Sequence, residues 1–177
     1  MSEIRKNTKM PPQAIDFEEA VLGAIMIDKN AMAEVGDILS PEVFYKDAHK
    51  DIYMILEKLF QEGEPIDTLM VTSKLKQNKK LKICGGPHYL AELTNKVISS
   101  ANIEYHARII VQKHIQRELI TTCSTIIQDA FDESTDAIEL LDQVESKIFS
   151  ISEINIKKKY LTASKLIQNA IKEIERI

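Results

Sequence analysis

The stretch NIEYHARIIVQKHIQRELITTCSTIIQDAF, residues 102–131, decides the fold because it contains neither proline nor glycine. About 30 residues without a helix breaker predict one continuous α-helix, roughly 45 Å long. Placed at 100° per residue, its first half carries Ile103, Ala107 and Ile110 on one side. The second half gathers its apolar residues into an opposite stripe about 120° wide: Leu119, Ile120, Cys123, Ile126, Ile127 and Ala130. We therefore expect this helix to cover two different surfaces, one near each end.

A second helix is predicted after the polar break Asp132-Glu133-Ser134-Thr135, because Asp136 and Glu139 have the spacing of a capping box. Two helices joined by a few polar residues form an antiparallel hairpin. A hairpin has little core of its own, so its remaining apolar side chains should pack on the rest of the chain or on another copy. We predict an oligomer interface that draws on both helices: Ile120, Cys123, Ile127, Leu140, Leu141, Val144 and Ile148.

Upstream, residues 15–98 predict a compact head of short helices. Asp16 and Glu19 have capping-box spacing, which places the start of the first helix at Asp16. Gly63 is placed to end a later helix, and Asp67 to cap the next one. The sequence thus predicts an all-α fold: this head, the hairpin over 99–152, and a separate helix further on.

The two ends of the chain predict different structures. Residues 1–14 are polar, contain Pro11-Pro12, and predict a disordered lead-in. Residues 153–161 predict a linker, and 162–177 a linker helix with the cleanest amphipathic spacing in the chain. That pattern is still in phase at Ile177, so we expect a fragment whose last helix docks on a partner missing here or on a neighbouring subunit. The residues expected to dock this helix on a partner are Leu166, Ile167, Ala170, Ile171 and Ile174.

Motifs for catalysis, nucleotide binding and metal binding are absent from the sequence: neither GxxxxGK[ST] nor GxGxxG occurs. The four histidines, His49, His88, His106 and His114, lack zinc-site spacings. We expect them to be hydrogen-bonded interface or surface residues. Cys123, inside the apolar stripe, is interpreted as a small core residue and not a nucleophile. We predict no catalytic, cofactor-binding or metal site in this chain.

The charge pattern argues against a dedicated DNA-binding surface, because the formal net charge is −4. We interpret Glu18-Glu19 as the first turn of a helix, Asp132-Glu133 as a solvated loop, and the lysines between Lys74 and Lys82 as a solvated face. The start of the chain lacks a signal peptide, and no apolar run approaches the ~18 residues that a membrane-spanning helix needs. A cytoplasmic protein is therefore expected.

Several stretches, in order along the chain, resemble the N-terminal domain of the DnaB family of bacterial replicative DNA helicases. Pro11–Gly23 is similar to that family's opening PP-x-x-I-x-x-E-x-x-V-L-G, and the stretch 44–52 to its FY-x(3)-H-x-x-I segment. Ile98 stands where the family often has proline. The other similar stretches are Gly63–Asp67, Gly85–Leu93, Ser100–Tyr105, Arg117–Ile120 and Leu141–Ile151.

This resemblance implies hairpins that pair between subunits, with three pairs forming a collar on a six-membered ring. It implies that the collar receives primase, that a loader engages the helicase in some lineages, and that the linker helix packs on the neighbouring subunit's ATPase domain. ATP, magnesium and passage of DNA through the ring belong to that downstream domain. The full-length parent is then an ATP-dependent helicase, and this segment is its non-catalytic assembly domain.

Two other classes of protein fit parts of the pattern. A free-standing helical adaptor that binds primase or a loader would share the head and the hairpin. It would differ in ending on a capped or polar terminus. A small helical enzyme is the third class, and turnover of ATP on forked DNA by the purified chain would distinguish it.

Overall fold

The computed structural model describes residues 10–28, 30–97 and 101–153, and within these residues the regular structure is helical throughout, without a strand. This confirms the all-α prediction. A 3-10 turn at Pro41–Val43 lies between the second and third helices. The predicted linker helix with its docking residues, Ile98 and most of the lead-in lie outside the described residues. The helices are α1 Ile15–Ile27, α2 Ala31–Val35, α3 Asp47–Glu62, α4 Thr68–Gln77, α5 Gly86–Asn95, α6 Ile103–Phe131 and α7 over 137–153.

The core of the head surrounds α1, which packs against α3, α5 and α6. Gly23 allows the close approach of α5, because a Cβ at this position would overlap the backbone carbonyl of Leu93. Burial of each large apolar side chain contributes about 1.5–3 kcal/mol. The residues with no exposed surface include Val21, Leu22, Ile52, Tyr53, Leu56, Leu59, Leu75, Leu90 and Leu93.

Two of the predicted helix ends are confirmed. Gly63 adopts φ 67°, the left-handed conformation that favours glycine, directly after α3. Asp67 accepts a hydrogen bond from the Met70 backbone N–H at 2.8 Å and so caps α4. These two residues fix the turn that reverses the chain between α3 and α4.

The predicted start of α1 at Asp16 is wrong. The helix begins at Ile15, and its N-cap is Ala14, whose side chain cannot accept a hydrogen bond. A capping box would also need the Glu19 carboxylate to reach back to the N-cap. That carboxylate instead binds Lys96 and Tyr89 across the head.

The first half of the long helix α6 covers the head, as its sequence predicts. Ile103, Ala107, Ile110 and Val111 are buried in the core of the head. Beyond Val111 the side chains are half-buried or exposed, so the remaining turns of this 29-residue helix extend away from the head. α6 therefore joins the head to the hairpin without a hinge in between.

α7 returns along α6 after a capped start. The Asp136 carboxylate accepts hydrogen bonds from the backbone N–H groups of Ile138 and Glu139, at 2.9 and 3.0 Å. Leu140, Val144 and Ile151 recur at helical spacing and are the least exposed apolar side chains of α7. Theirs is therefore the inner face, which α7 turns toward α6.

Candidate assembly surface

The hairpin formed by α6 and α7 exposes large apolar side chains along both helices. Their exposed fractions run from 39% at Leu119 to 82% at Phe131. An exposed leucine is ordinary by itself, but a contiguous apolar surface of this extent marks an interaction site. The residues are Leu119, Ile120, Ile127 and Phe131 on α6, with Ile138, Leu141, Ile148 and Phe149 on α7.

Both exposed stripes lie on the same side of the hairpin. On α6 the stripe is turned roughly 130° from the half-buried face of Thr122, Ile126 and Asp129, and on α7 roughly 120° from the inner face. On both helices, the rotation from the half-buried face to the exposed stripe has the same sense when each helix is viewed from its own N-terminus. Because the helices are antiparallel, these two rotations have opposite senses when both are viewed from one end of the hairpin. The two exposed stripes therefore lie on the same side. We call this the apolar side of the hairpin.

The apolar side carries little charge. Among the described residues of α6 from 119 to 131, Asp129 is the one ionisable acid, and it lies on the opposite, half-buried face. On α7, Glu145 lies between Leu141 and Ile148 on the exposed stripe. Depletion of charge at the centre of a surface is typical of an interface between proteins.

The seven residues predicted to form an oligomer interface fall into two groups. Leu140 and Val144 are half-buried on the inner face of the hairpin. The interpretation of Cys123 as a core residue is wrong for the single chain, because its thiol lies on the apolar side and is exposed. Exposed with it on the apolar side are Ile120, Ile127, Leu141 and Ile148.

Arg117 fixes the base of the hairpin to the head. Its guanidinium donates to the backbone carbonyls of Pro12 and Val43, at 2.9 and 2.7 Å, and lies 5.5 Å from the centroid of the Tyr45 ring. Burial lowers the pKa of Arg117, against the opposing effect of nearby charges such as Glu18. One side chain of α6 thus binds two stretches, the one before α1 and the one between α2 and α3. We call these contacts of Arg117 the clamp.

A buried polar network continues from this clamp into the head. Glu18 accepts a hydrogen bond from the Tyr45 backbone N–H at 2.6 Å, and its other carboxylate oxygen lies 2.6 Å from His49 Nδ1. His49 Nε2 is 2.7 Å from the Tyr89 hydroxyl, and this hydroxyl donates to Glu19 at 3.1 Å. Glu18 and His49 are almost completely buried. Polar groups at such depth are retained when each has a partner, as here.

Glu19 joins the network to two lysines. Partial burial raises the pKa of its carboxyl, but the hydrogen bonds that Lys96, Tyr89 and Lys46 donate to it outweigh this effect and lower the pKa. Its oxygens lie 2.9 Å from Lys96 Nζ and 3.4 Å from Lys46 Nζ. The carboxylate therefore links α1 to the end of α5 and to the segment that precedes α3.

Glu18 lies in the first turn of α1, as interpreted, but Glu18 and Glu19 are buried and bound to distant residues, and His49 is buried as well. Helical periodicity gives no indication that the motifs converge in the folded chain. The converging residues come from four of the stretches quoted above: Glu18, Tyr45, His49, Tyr89 and Arg117. Their partners are up to 105 residues away in sequence. Polar residues shared with the family at these positions were the available signal.

The described residues contain no group of three or more histidine, cysteine or acidic side chains arranged to hold a metal ion. Within the same residues, no helix combines the length and the apolar character required to cross a membrane.

Comparison with known proteins gives consistent matches. Residues 10–112 match the family model of the DnaB-like helicase N-terminal domain. The replicative DNA helicase DnaB of Rhodothermus marinus is 38% identical over 169 residues, which are 96% of this chain and 18% of that protein. The chain therefore spans about a fifth of the length of this relative.

Two solved structures are similar in fold. The crystal structure of the N-terminal domain of DnaB helicase from Mycobacterium tuberculosis matches with a TM-score of 0.76 and 32% identity, over 80% of this chain and 99% of that one. A DnaB-like replicative helicase, described with its interactions with primase, matches with a TM-score of 0.65 over 88% of this chain and 35% of that one. At 24% identity, the second match speaks to the fold alone.

Proposed function

We propose that this chain, which belongs to the family of DnaB-like helicase N-terminal domains, is the assembly domain of a replicative DNA helicase and pairs with a second copy through the apolar side of its hairpin. The observation that carries this proposal is the alignment of two exposed apolar stripes on one side of two helices. A flat apolar side built from two long helices is self-complementary. It suits a two-fold contact in which the same residues meet on both copies.

The energetics favour such a contact. Each large apolar side chain that becomes fully buried contributes about 1.5–3 kcal/mol. Losses of translational and rotational freedom oppose association, so a few well-buried side chains near the centre should dominate the affinity. On this proposal Ile120, Cys123, Ile127, Leu141 and Ile148 face the second copy, while Leu140 and Val144 hold the hairpin together.

The wider assembly belongs to the same proposal. Three hairpin pairs would form the collar of a hexameric ring, and the collar would receive primase. A loader protein would be a further partner of the ring. The family membership supports this. A second support is the similar structure of a DnaB-like replicative helicase that was described with its interactions with primase. The division into a head (15–98) and a hairpin (99–152) supplies two separate surfaces for these contacts.

We assign the catalytic work to a further domain of a longer parent protein. That domain would bind ATP and magnesium, and DNA would pass through the full ring in the cytoplasm. The linker helix over 162–177 would then dock on a neighbouring subunit through Leu166, Ile167, Ala170, Ile171 and Ile174. The reading frame past codon 177 distinguishes this from a free-standing adaptor, for which a stop codon should follow directly.

Ile127→Glu tests the pairing, because it places a charge in the middle of the apolar side. We expect sedimentation equilibrium to give the 20.1 kDa mass of one chain for this variant and a multiple of it for the unaltered chain. Gln128→Glu is the matched control, since it adds the same charge one residue further, on a polar side of α6. An Ile127→Glu chain with unchanged mass and unchanged thermal melting would refute the proposal.

A further inference from the structure

The hydrogen bonds from Glu18 through His49 and Tyr89 to Glu19 require a definite number of hydrogens. The three contacts measure 2.6, 2.7 and 3.1 Å. Each needs one hydrogen between its two heavy atoms, because lone pairs that face each other at such distances repel. The Tyr89 hydroxyl has one hydrogen to give, and a neutral histidine ring has one. With both carboxylates ionised and His49 neutral, two hydrogens would have to serve three contacts.

The hydrogen of the Tyr89 hydroxyl belongs to the contact with Glu19. Burial raises the pKa of the Glu19 carboxyl, but the hydrogen bonds donated by Lys96, Tyr89 and Lys46 outweigh this effect and lower the pKa, so the carboxylate has no hydrogen to give. Burial and the nearby charge of Glu19 raise the pKa of Tyr89, so its hydroxyl keeps its hydrogen. The hydroxyl therefore donates to Glu19, and its oxygen is left to accept a hydrogen from His49 Nε2.

The other ring nitrogen of His49 also donates. Glu18 Oε1 accepts a hydrogen bond from the Tyr45 backbone N–H at 2.6 Å, and Glu18 Oε2 lies 2.6 Å from His49 Nδ1. A backbone donor and the nearby charge of Arg117 favour the ionised form of Glu18 over the acid. The hydrogen between Oε2 and Nδ1 is therefore bound to the nitrogen. A carboxylate with 1% exposed surface also needs a counter-charge beside it, and His49 is the side chain in contact.

We propose that His49 is a buried imidazolium, with a hydrogen on both ring nitrogens in the folded chain at neutral pH, and that this second hydrogen holds α1, α3 and α5 together. With it, all three contacts are hydrogen bonds. Without it, Tyr89 has one hydrogen for two acceptors, so either His49 or Glu19 loses its partner. The inference concerns the head alone and does not depend on whether hairpins pair.

The surroundings of His49 leave Glu18 as its counter-charge. The charged and titratable groups that join the network from other elements are Glu18, Glu19, Lys46, Tyr89, Lys96 and Arg117. On α3 itself, Asp47 and Lys50 pair with each other at the surface. Glu19 is bound by two lysines, so Glu18 is the carboxylate that remains to neutralise an imidazolium.

The charge of His49 gives the head a pH dependence of defined sign. Because the imidazolium gains partners on folding, its contribution to stability is fully present below about pH 6.5, where a free histidine is protonated. That contribution is lost as the pH rises through the value at which the folded chain releases the hydrogen. Alkaline pH should therefore weaken the contacts of α3 with α1 and α5.

The ring nitrogens of His49 can be observed directly by NMR. In proton–nitrogen correlation spectra of the isotopically labelled, unaltered chain, protonated and unprotonated ring nitrogens have different shifts, and His49→Gln identifies the signals of His49. We expect both ring nitrogens of His49 to be protonated at neutral pH, and to remain so when the exposed His88 has lost one of its two hydrogens. A single protonated nitrogen at neutral pH would overturn the inference, whichever of the two nitrogens it is.

Removing the acceptor of the second hydrogen gives an independent test. Tyr89→Phe keeps the aromatic ring but leaves the Nε2–H of His49 without its acceptor. We expect His49 to release one hydrogen at a pH about 1–2 units lower than in the unaltered chain, which corresponds to the loss of one hydrogen bond to a charged group. Tyr105→Phe, which removes an exposed hydroxyl on α6, is the matched control and should leave His49 unchanged. If the folded Tyr89→Phe chain releases the hydrogen at the same pH as the unaltered chain, Nε2 does not donate to Tyr89 and the inference is overturned.

Discussion

At the scale of single residues, Arg117 has the most consequential position among the described polar side chains. It joins α6 to Pro12 and Val43, so it fixes the direction in which the hairpin leaves the head. A planar guanidinium suits this task because it donates to two carbonyls at once, which a lysine ammonium does less well. The clamp therefore couples the head to the surface that we propose pairs.

Arg117→Ala should destabilise the chain by about 2–3 kcal/mol, because it leaves two carbonyls without a charged donor. Urea denaturation gives the free energy of unfolding. Arg108→Ala is the matched control: Arg108 lies on the same helix and pairs with Glu104 one turn away at the surface, where such pairs contribute under about 1 kcal/mol. Equal losses in the two variants would show that the clamp contributes no more than an exposed ion pair.

The Glu19 carboxylate gives the head a pH dependence of defined sign. Its pKa in the folded chain is lowered from an ordinary value of 4.5. Its stabilising contribution is therefore fully present above that value and lost as pH falls through the folded pKa. Glu19→Gln should cost about 1–2 kcal/mol at pH 7, and the difference from the unaltered chain should shrink below about pH 4.

Thermal melts across this range check the prediction, with Glu133→Gln in the exposed loop between α6 and α7 as the control. If the loss of melting temperature caused by Glu19→Gln stays constant from pH 7 down to the pH of acid unfolding, the charge of Glu19 is not what stabilises the head.

At the scale of helices, the hairpin has an inner face and an outer face that a substitution can tell apart. Val144 is half-buried toward α6, and Leu141 is exposed on the apolar side. Val144→Asp should lower the melting temperature, because it buries a charge within the hairpin. Leu141→Asp should leave the melting of the separated chain nearly unchanged and weaken its association. If Leu141→Asp lowers the melting temperature and Val144→Asp weakens association instead, then Leu141 lies on the inner face and Val144 on the apolar side.

Helix boundaries were largely predictable from local chemistry. Gly63, Asp67 and the uninterrupted stretch of α6 act through their own or adjacent turns, so the sequence contains the whole signal. The division of the hairpin stripe was not predictable in this way. Ile126 is half-buried and its neighbour Ile127 is exposed, although both belong to one stripe about 120° wide. Which edge of a broad stripe meets the partner helix depends on how the two helices cross.

The buried network could not be predicted from periodicity, because it depends on distant partners. Glu18 meets a backbone group 27 residues later, and Glu19 a lysine 77 residues later. An acidic pair in the first turn of a helix is ordinarily exposed, since unpaired carboxylates are costly to bury. Here the fold provides His49, Tyr89 and Lys96 as partners, and a single helix gives no indication of them.

At the scale of the whole molecule, the chain divides its tasks between two parts. The head is a packed core with a buried network, and the hairpin carries most of its apolar surface outward. The exposed apolar residues of the hairpin are arranged on one side, which is what a surface evolved for pairing requires and what a solvated hairpin would avoid. The account therefore depends on whether that side is covered in solution.

The reactivity of the two native cysteines tests this most directly. Cys123 lies exposed on the apolar side, while burial raises the pKa of Cys84 to about 11 and makes it a slow internal reference. We predict that a thiol reagent modifies Cys123 slowly in the concentrated unaltered chain and rapidly in Ile127→Glu, with Cys84 slow in both. Equally rapid modification of Cys123 in the two chains would contradict the proposal that copies pair through the apolar side of the hairpin.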